Sequence, residues 1–127
     1  ITPAKGKVEL AFTDPKWLKP FYNTVLDTSI HAGNKPINTN GLIRLQAFCD
    51  VLFKEVKKEN VVIAGHSLWF RSFFRTYLPK AFEHISKVKK LQNGACVGFT
   101  LEKKTTDNGV FYEVNPSTIT VIYGGFG

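Results

Sequence analysis

A chain of 127 residues is long enough for one compact domain with a buried core and too short for two. Its 43% hydrophobic and 21% charged residues exclude a disordered polymer, and its longest apolar run falls well short of the ~20 residues a membrane helix needs. The net charge of +7 is mostly lysine spread along the chain, densest at Lys54, Lys57 and Lys58 and again at Lys87, Lys89 and Lys90. That pattern is a solvated basic surface rather than the clustered footprint of a nucleic-acid binder.

Residues 7–12 (KVELAF) alternate in the manner of a short strand. Asp14-Pro15 then supplies a helix start, an N-cap followed by proline in the first turn, and Trp17, Leu18, Phe21 and Val25 continue it, with Pro20 able to kink it. Residues 27–40 are rich in Gly, Pro, Asn and Thr and predict a long ordered loop of the kind that usually carries function. From residue 41 to 58, Leu42, Leu45, Phe48 or Cys49, Leu52 and Val56 recur at helical spacing, and Asn60 closes the helix. Residues 61–64 (VVIA) form a short, wholly apolar, β-branched run suited to a central parallel strand buried on both faces.

A second helix is predicted over residues 68–78, ended by Pro79. Trp69, Phe70, Phe73, Phe74 and Tyr77 cover so much of its circumference that burial is expected. Residues 95–101 predict a strand, Asp107-Asn108-Gly109 a hairpin turn, and residues 110–114 and 118–123 two further strands. Helix, buried strand, helix, then strands predicts an α/β class: a three-layer αβα sandwich around a mostly parallel, mixed central sheet.

The two cysteines, Cys49 and Cys96, lie in apolar segments without metal-ligand spacing and are too few for a disulfide framework. They read as small buried hydrophobes in a reducing compartment, which places the chain inside the cell, in the cytoplasm. Nothing at the start resembles a signal peptide. The chain opens on Ile1 and contains no Met, so it is expected to be a processed product or a piece of something longer.

The chemically informative segment is residues 61–71 (VVIAGHSLWFR). His66 stands where the apolar run gives way to a helix, a position at which ligands bind in open α/β sheets and at which free N–H groups and the helix dipole favour an anion. A histidine there serves as phosphate ligand, nucleophile or proton shuttle, or merely caps the helix. Three features in order carry a resemblance to a known family: Gly41-Leu42-Ile43-Arg44-Leu45, then His66-Ser67 with Arg71 five positions after the histidine, then residues 91–97 (LQNGACV). Together they resemble the histidine phosphatase, or phosphoglycerate-mutase-like, superfamily over residues 41–101.

The resemblance implies a single domain over residues 1–127 that is the C-terminal part of a longer one. It implies that His66 is the second active-site histidine, contacting the transferring phosphoryl group, with the backbone near Ser67 binding phosphate as an electrostatic donor. Arg71 would orient this corner. The implied substrate is a phosphorylated small molecule or phosphoprotein, with no cofactor and no metal. The pair His-Ser, rather than His-Asp, implies the mutase-like branch.

This chain departs from the family at the nucleophile, a histidine in an Arg-His-Gly motif. Ile30 precedes His31, Gly65 precedes His66 and Glu83 precedes His84, so no Arg-His pair is present. A phosphoenzyme mechanism needs nucleophile, anion clamp and proton donor together. A missing N-terminal segment or partner chain is therefore expected, with Glu9, Asp14 and Asp27 as open candidates for the proton donor. His31 lies in the loop and reads as exposed.

Two other classes compete. Gly65-His66-Ser67-Leu68 resembles the nucleophile elbow of α/β hydrolases, but Trp69 stands where the tight turn needs glycine. His84, the only later histidine, has only its neighbour Glu83 between it and Ser67 as an acid. A catalytically inactive structural or interaction subunit is the stronger alternative. Nucleic acid is not the expected partner, because the aromatics lie within apolar elements rather than among exposed lysines.

Overall fold

The computed structural model describes Asn40–Gly127. The strand at residues 7–12, the helix begun by Asp14-Pro15, the loop up to residue 39, and Glu9, Asp14, Asp27 and His31 lie outside the described residues.

The first helix, α1 (Gly41–Val51), starts at Asn40, whose side-chain Oδ1 accepts the N–H of Leu42 at 2.9 Å. Leu45 and Cys49, one turn apart, are its buried positions, whereas Leu42 and Ile43 in the first turn are exposed. The helix loosens into a π-helical turn, Leu52–Val56. Lys57 ends it in the left-handed region (φ 50°), with its N–H returned to the Leu52 carbonyl at 3.2 Å.

The second helix, α2 (Ser67–Tyr77), is the hub of the core. Phe73 and Phe74 are fully buried and Tyr77 nearly so. The Phe73 ring stacks on Trp69 at 5.3 Å, meets Tyr77 at 4.9 Å and Phe99 at 5.7 Å, while Phe74 meets Phe99 at 5.1 Å and Phe126 at 5.9 Å. Offset and edge-on rings at these separations add to the burial each Phe contributes, about 1.5–3 kcal/mol apiece. Leu78 leaves the helix with extended dihedrals just before Pro79.

Two long strands, β1 (Cys96–Thr106) and β2 (Gly109–Tyr123), pair antiparallel as a hairpin. Asp107 and Asn108, both with negative φ, form the two-residue turn between the paired Thr106 and Gly109, and Gly109 takes φ 116°. The two strands expected at residues 110–114 and 118–123 are one strand with an irregularity. Thr100 pairs with Asn115 and Gly98 with Thr120, so the one residue between them on β1, Phe99, faces four on β2. Pro116, which has no N–H to pair, sits in that stretch. Side chains hold it instead: Thr118 Oγ1 donates to the Asn115 carbonyl at 2.7 Å and accepts the N–H of Thr100 at 2.9 Å.

This architecture overturns the expected three-layer αβα sandwich with a mostly parallel, mixed sheet. Among the described residues there are two α-helices and one two-stranded antiparallel sheet. The expected central strand at residues 61–64 joins no sheet, and Val62 is 96% exposed. A β-branched apolar run states which surroundings suit it, but a parallel sheet exists only where neighbouring strands are present to pair. The core is built instead where α1 and α2 meet one face of the hairpin through Tyr112 and Val114. Among the described residues no helix is long and apolar enough to cross a membrane.

Candidate functional site

The N-terminus of α2 places the sequence-predicted site residues. His66 occupies the N-cap with extended dihedrals (φ −89°, ψ 145°), and its carbonyl accepts the N–H of Phe70 at 3.1 Å. Its imidazole forms no capping bond and is exposed. The first turn is Ser67-Leu68-Trp69-Phe70, without an acidic residue, so no carboxylate of its own neutralises the N–H groups there. Ser67 is half-buried. An uncommitted imidazole beside free first-turn amides is an arrangement that receives an anion.

Ser67 also lines a groove of about 1060 Å³. Residues 61–65, the turn at Gln92-Asn93-Gly94, the start of β1 and the rings of Phe53 and Phe70 are among the residues that line it. The fold thus gathers the Ser67 end of one sequence feature and the Asn93 turn of another around one space. His66 itself does not line it, and neither do Arg44 or Arg71. Arg44 is exposed on α1; Arg71 is half-buried on α2 and forms no ion pair among the described residues. Lys57 and Lys58, both exposed, are among its lining residues.

A polar cluster inside the core escaped sequence reasoning. The Tyr112 hydroxyl donates to Asp50 Oδ1 across the seam between α1 and the hairpin. Burial, reinforced by the Asp50 bond, pushes the Tyr112 phenol up to about 12. Burial also raises Tyr77, with the adjoining Cys49 thiol adding to it, and raises Cys49 itself. Cys49 is an inert buried thiol, as expected, but Cys96 is exposed, at the first residue of β1. The expectation of two buried cysteines therefore holds for one.

His84 also does work that sequence reading did not assign. Its Nδ1 accepts the N–H of Ser86 at 3.2 Å and lies 2.8 Å from the Ser86 hydroxyl, capping the short 3₁₀ turn Ile85–Lys87. The ring stacks on Phe82 and stands edge-on to Phe126. Arg75, in the last turn of α2, donates from Nε to the Lys87 carbonyl, and Lys87 Nζ donates to the Pro79 carbonyl at 2.8 Å. These bonds fasten the basic loop to the helix, so its charge is partly structural. Residue types gave little signal for it, since histidine is not among the residues that favour helix caps.

Among the described residues no group of three or more His, Cys, Asp and Glu is placed to hold a metal ion. No protein-family model, curated protein or solved structure matches the chain.

Proposed function

We propose that this chain is part of a phosphoglycerate-mutase-like phosphomonoesterase that works through a phosphohistidine intermediate, with His66 as its second active-site histidine. The observation that supports it is the α2 N-terminus: an exposed imidazole free of capping duty, next to first-turn amides with no acidic neighbour. In such an enzyme the phosphoryl group moves from the substrate oxygen to a histidine nitrogen and then to water. Its equatorial oxygens carry the developing charge. His66 and the Ser67 amide would hold that charge, which is the main task a protein has in phosphoryl transfer. The nucleophilic histidine and the arginine clamp belong to a further segment or partner chain. The substrate is a phosphorylated small molecule or phosphoprotein, and the setting is the cytoplasm, in keeping with two unpaired cysteines.

The amide spectrum of the chain titrated with inorganic phosphate tests this. Shifts should concentrate at Ser67, Leu68 and Trp69 and weaken on His66→Ala. Shifts confined to Lys87, Lys89 and Lys90 and unchanged by that substitution would sink the role given to His66. In the protein carrying its nucleophile, His66→Ala should lower phosphomonoesterase turnover about 10²-fold or more. The second reading, an inactive histidine-phosphatase-like interaction subunit, is favoured by the exposed apolar stretch at residues 61–64. It predicts phosphate binding without turnover in any context.

A further inference from the structure

Three Asn-Gly pairs stand in the sequence: Asn40-Gly41, Asn93-Gly94 and Asn108-Gly109. Asparagine is chemically labile, and a following glycine leaves its side-chain amide open to attack by the next backbone nitrogen, because no Cβ stands in the way. Sequence does not rank the three. Exposure does not rank them either, since all six residues are exposed and a Cβ built on any of the three glycines meets no atom of the described residues within 4 Å. What separates them is the peptide that has to turn for the glycine nitrogen to reach the asparagine Cγ.

At Asn40 that peptide is held twice. The Asn40 carbonyl accepts the N–H of Arg44 at 3.3 Å, and its Oδ1 accepts the N–H of Leu42 at 2.9 Å. Turning it undoes the first helical bond and the N-cap together. At Asn108 the peptide carries the nitrogen of Gly109, which is paired with Thr106 in the first rung of the hairpin, and Thr106 Oγ1 donates to the Gly109 carbonyl at 3.3 Å. Turning it opens the end of the ladder. At Asn93 the peptide lies at the centre of a four-residue turn, closed by the Ala95 N–H on the Gln92 carbonyl at 3.0 Å. Asn93 keeps a negative φ and Gly94 takes φ 73°, the signs of a type II turn. The central peptide of such a turn rotates between the type II and type I arrangements with the closing bond intact, and glycine accepts both signs of φ that this needs. The ends stay where they are: the Gln92 N–H is bound to the Gly125 carbonyl at 2.9 Å, and Cys96 is paired with Tyr123.

We propose that Asn93 is a site of spontaneous deamidation, the first of the three pairs to react, and that the reaction places a carboxylate among the residues lining the groove that Ser67 also lines. The Gly94 nitrogen attacks Cγ of Asn93. The N–Cγ bond forms, the Cγ–Nδ2 bond breaks, and ammonia leaves with the proton of the Gly94 amide. Water then opens the cyclic imide at either carbonyl, giving aspartate or isoaspartate, with no oxidant or reductant involved. Both products are ionised at neutral pH. The isoaspartyl form also adds one carbon to the main chain between two anchored ends. The inference does not depend on the phosphate reading, since Ser67 only marks where the new charge falls.

The test is peptide mapping by mass spectrometry on the folded 127-residue chain, aged at mildly alkaline pH. The peptide containing Asn93 should gain one mass unit and split into aspartyl and isoaspartyl forms. Its rate should exceed those at Asn40 and Asn108, which wait on local opening, by about tenfold or more. In concentrated urea the three rates should converge, because the pairs are alike once nothing holds them. Two results would overturn the proposal. One is conversion at Asn40 or Asn108 as fast as at Asn93 in the folded chain. The other is a lead for Asn93 that persists undiminished in urea, which would assign it to flanking sequence and not to the turn. Absence of phosphate shifts at Ser67 in the fresh chain would remove the phosphate reading alone, and equal conversion of the three asparagines would remove this one alone.

Discussion

The two flanks of α2 received equally apolar sequence and met different fates. Toward its C-terminal half, Phe73, Phe74 and Tyr77 are buried among α1, the hairpin and Phe126. Just before its N-terminus, Val61, Val62, Ile63 and Ala64 are as apolar as any strand in a core, yet Val61 and Val62 are exposed. The difference lies in who supplies the neighbours. Rings on a helix find partners through their own length and through the neighbouring helix, which is close in sequence. A central strand needs two other strands, and hydrophobicity alone cannot provide the hydrogen bonds its backbone must make. The packed flank therefore carries stability, and the open one contributes little to it.

The sharpest way to break that contrast is to exchange the damage. Phe74→Ala removes a ring with about 1% exposure that touches Phe73, Phe99 and Phe126, and should cost about 3–5 kcal/mol in urea unfolding. Val62→Asp inserts a charge into an apolar run, which in a buried strand would be ruinous. Here it should change stability by less than about 0.5 kcal/mol. A large loss at Val62 would mean that residues 61–64 are packed in solution, and the contrast would fall.

What could be read from sequence divides along the same line. Both helices are legible to within a few residues, because the 3.6-residue period of Leu45, Cys49, Phe73 and Tyr77 is local and Pro79 stops the chain. The hairpin is legible from Gly109. The sheet is not. Residues 61–64 encode a preference for two-sided burial, and nothing in four residues states whether the neighbours are present. The single strand Gly109–Tyr123 was misread as two because Asn115-Pro116-Ser117 looks like a break, whereas Asn115 and Thr118 side chains carry the chain through it as a bulge. Of the candidate site, the position of His66 at a helix start was legible. The groove that Ser67 shares with Asn93 was not, since it depends on how β1 lies against the chain before α2. Cys96 defeats an apolar-neighbour argument because strand residues alternate in direction.

The seam between α1 and the hairpin belongs to the packed flank and depends on one polar pair. Tyr112→Phe keeps the ring against Phe53 and Tyr77 but deletes the hydroxyl donated to Asp50. Asp50 is half-buried and can recover water, so the loss should be about 1–2 kcal/mol, below that of Phe74→Ala. Asp50→Asn should bring the Tyr112 phenol down from about 12 toward its ordinary range in an ultraviolet titration. An unchanged phenol would assign the shift to burial alone.

The smallest effect concerns acid, and it tests the joint between the basic loop and the core. Burial, and then the Lys87 charge, hold the folded pKa of His84 below its ordinary value. Lys87 is the charged neighbour; the rings of Phe82 and Phe126 and the Ser86 hydroxyl complete its surroundings. A depressed folded pKa means that the unfolded chain takes up the proton first. The contribution of His84 is therefore fully present above its unfolded value, about 6.5, and is lost as pH falls toward and through the folded value. Protonation puts a hydrogen on Nδ1, which then cannot accept the Ser86 N–H, and the 3₁₀ turn loses its cap. The urea midpoint should fall between pH 7.5 and pH 5, and His84→Asn, which can cap without titrating, should flatten that slope. If His84→Asn leaves the slope as steep as before, the acid-sensitive joint is not the 3₁₀ turn at Ile85–Lys87.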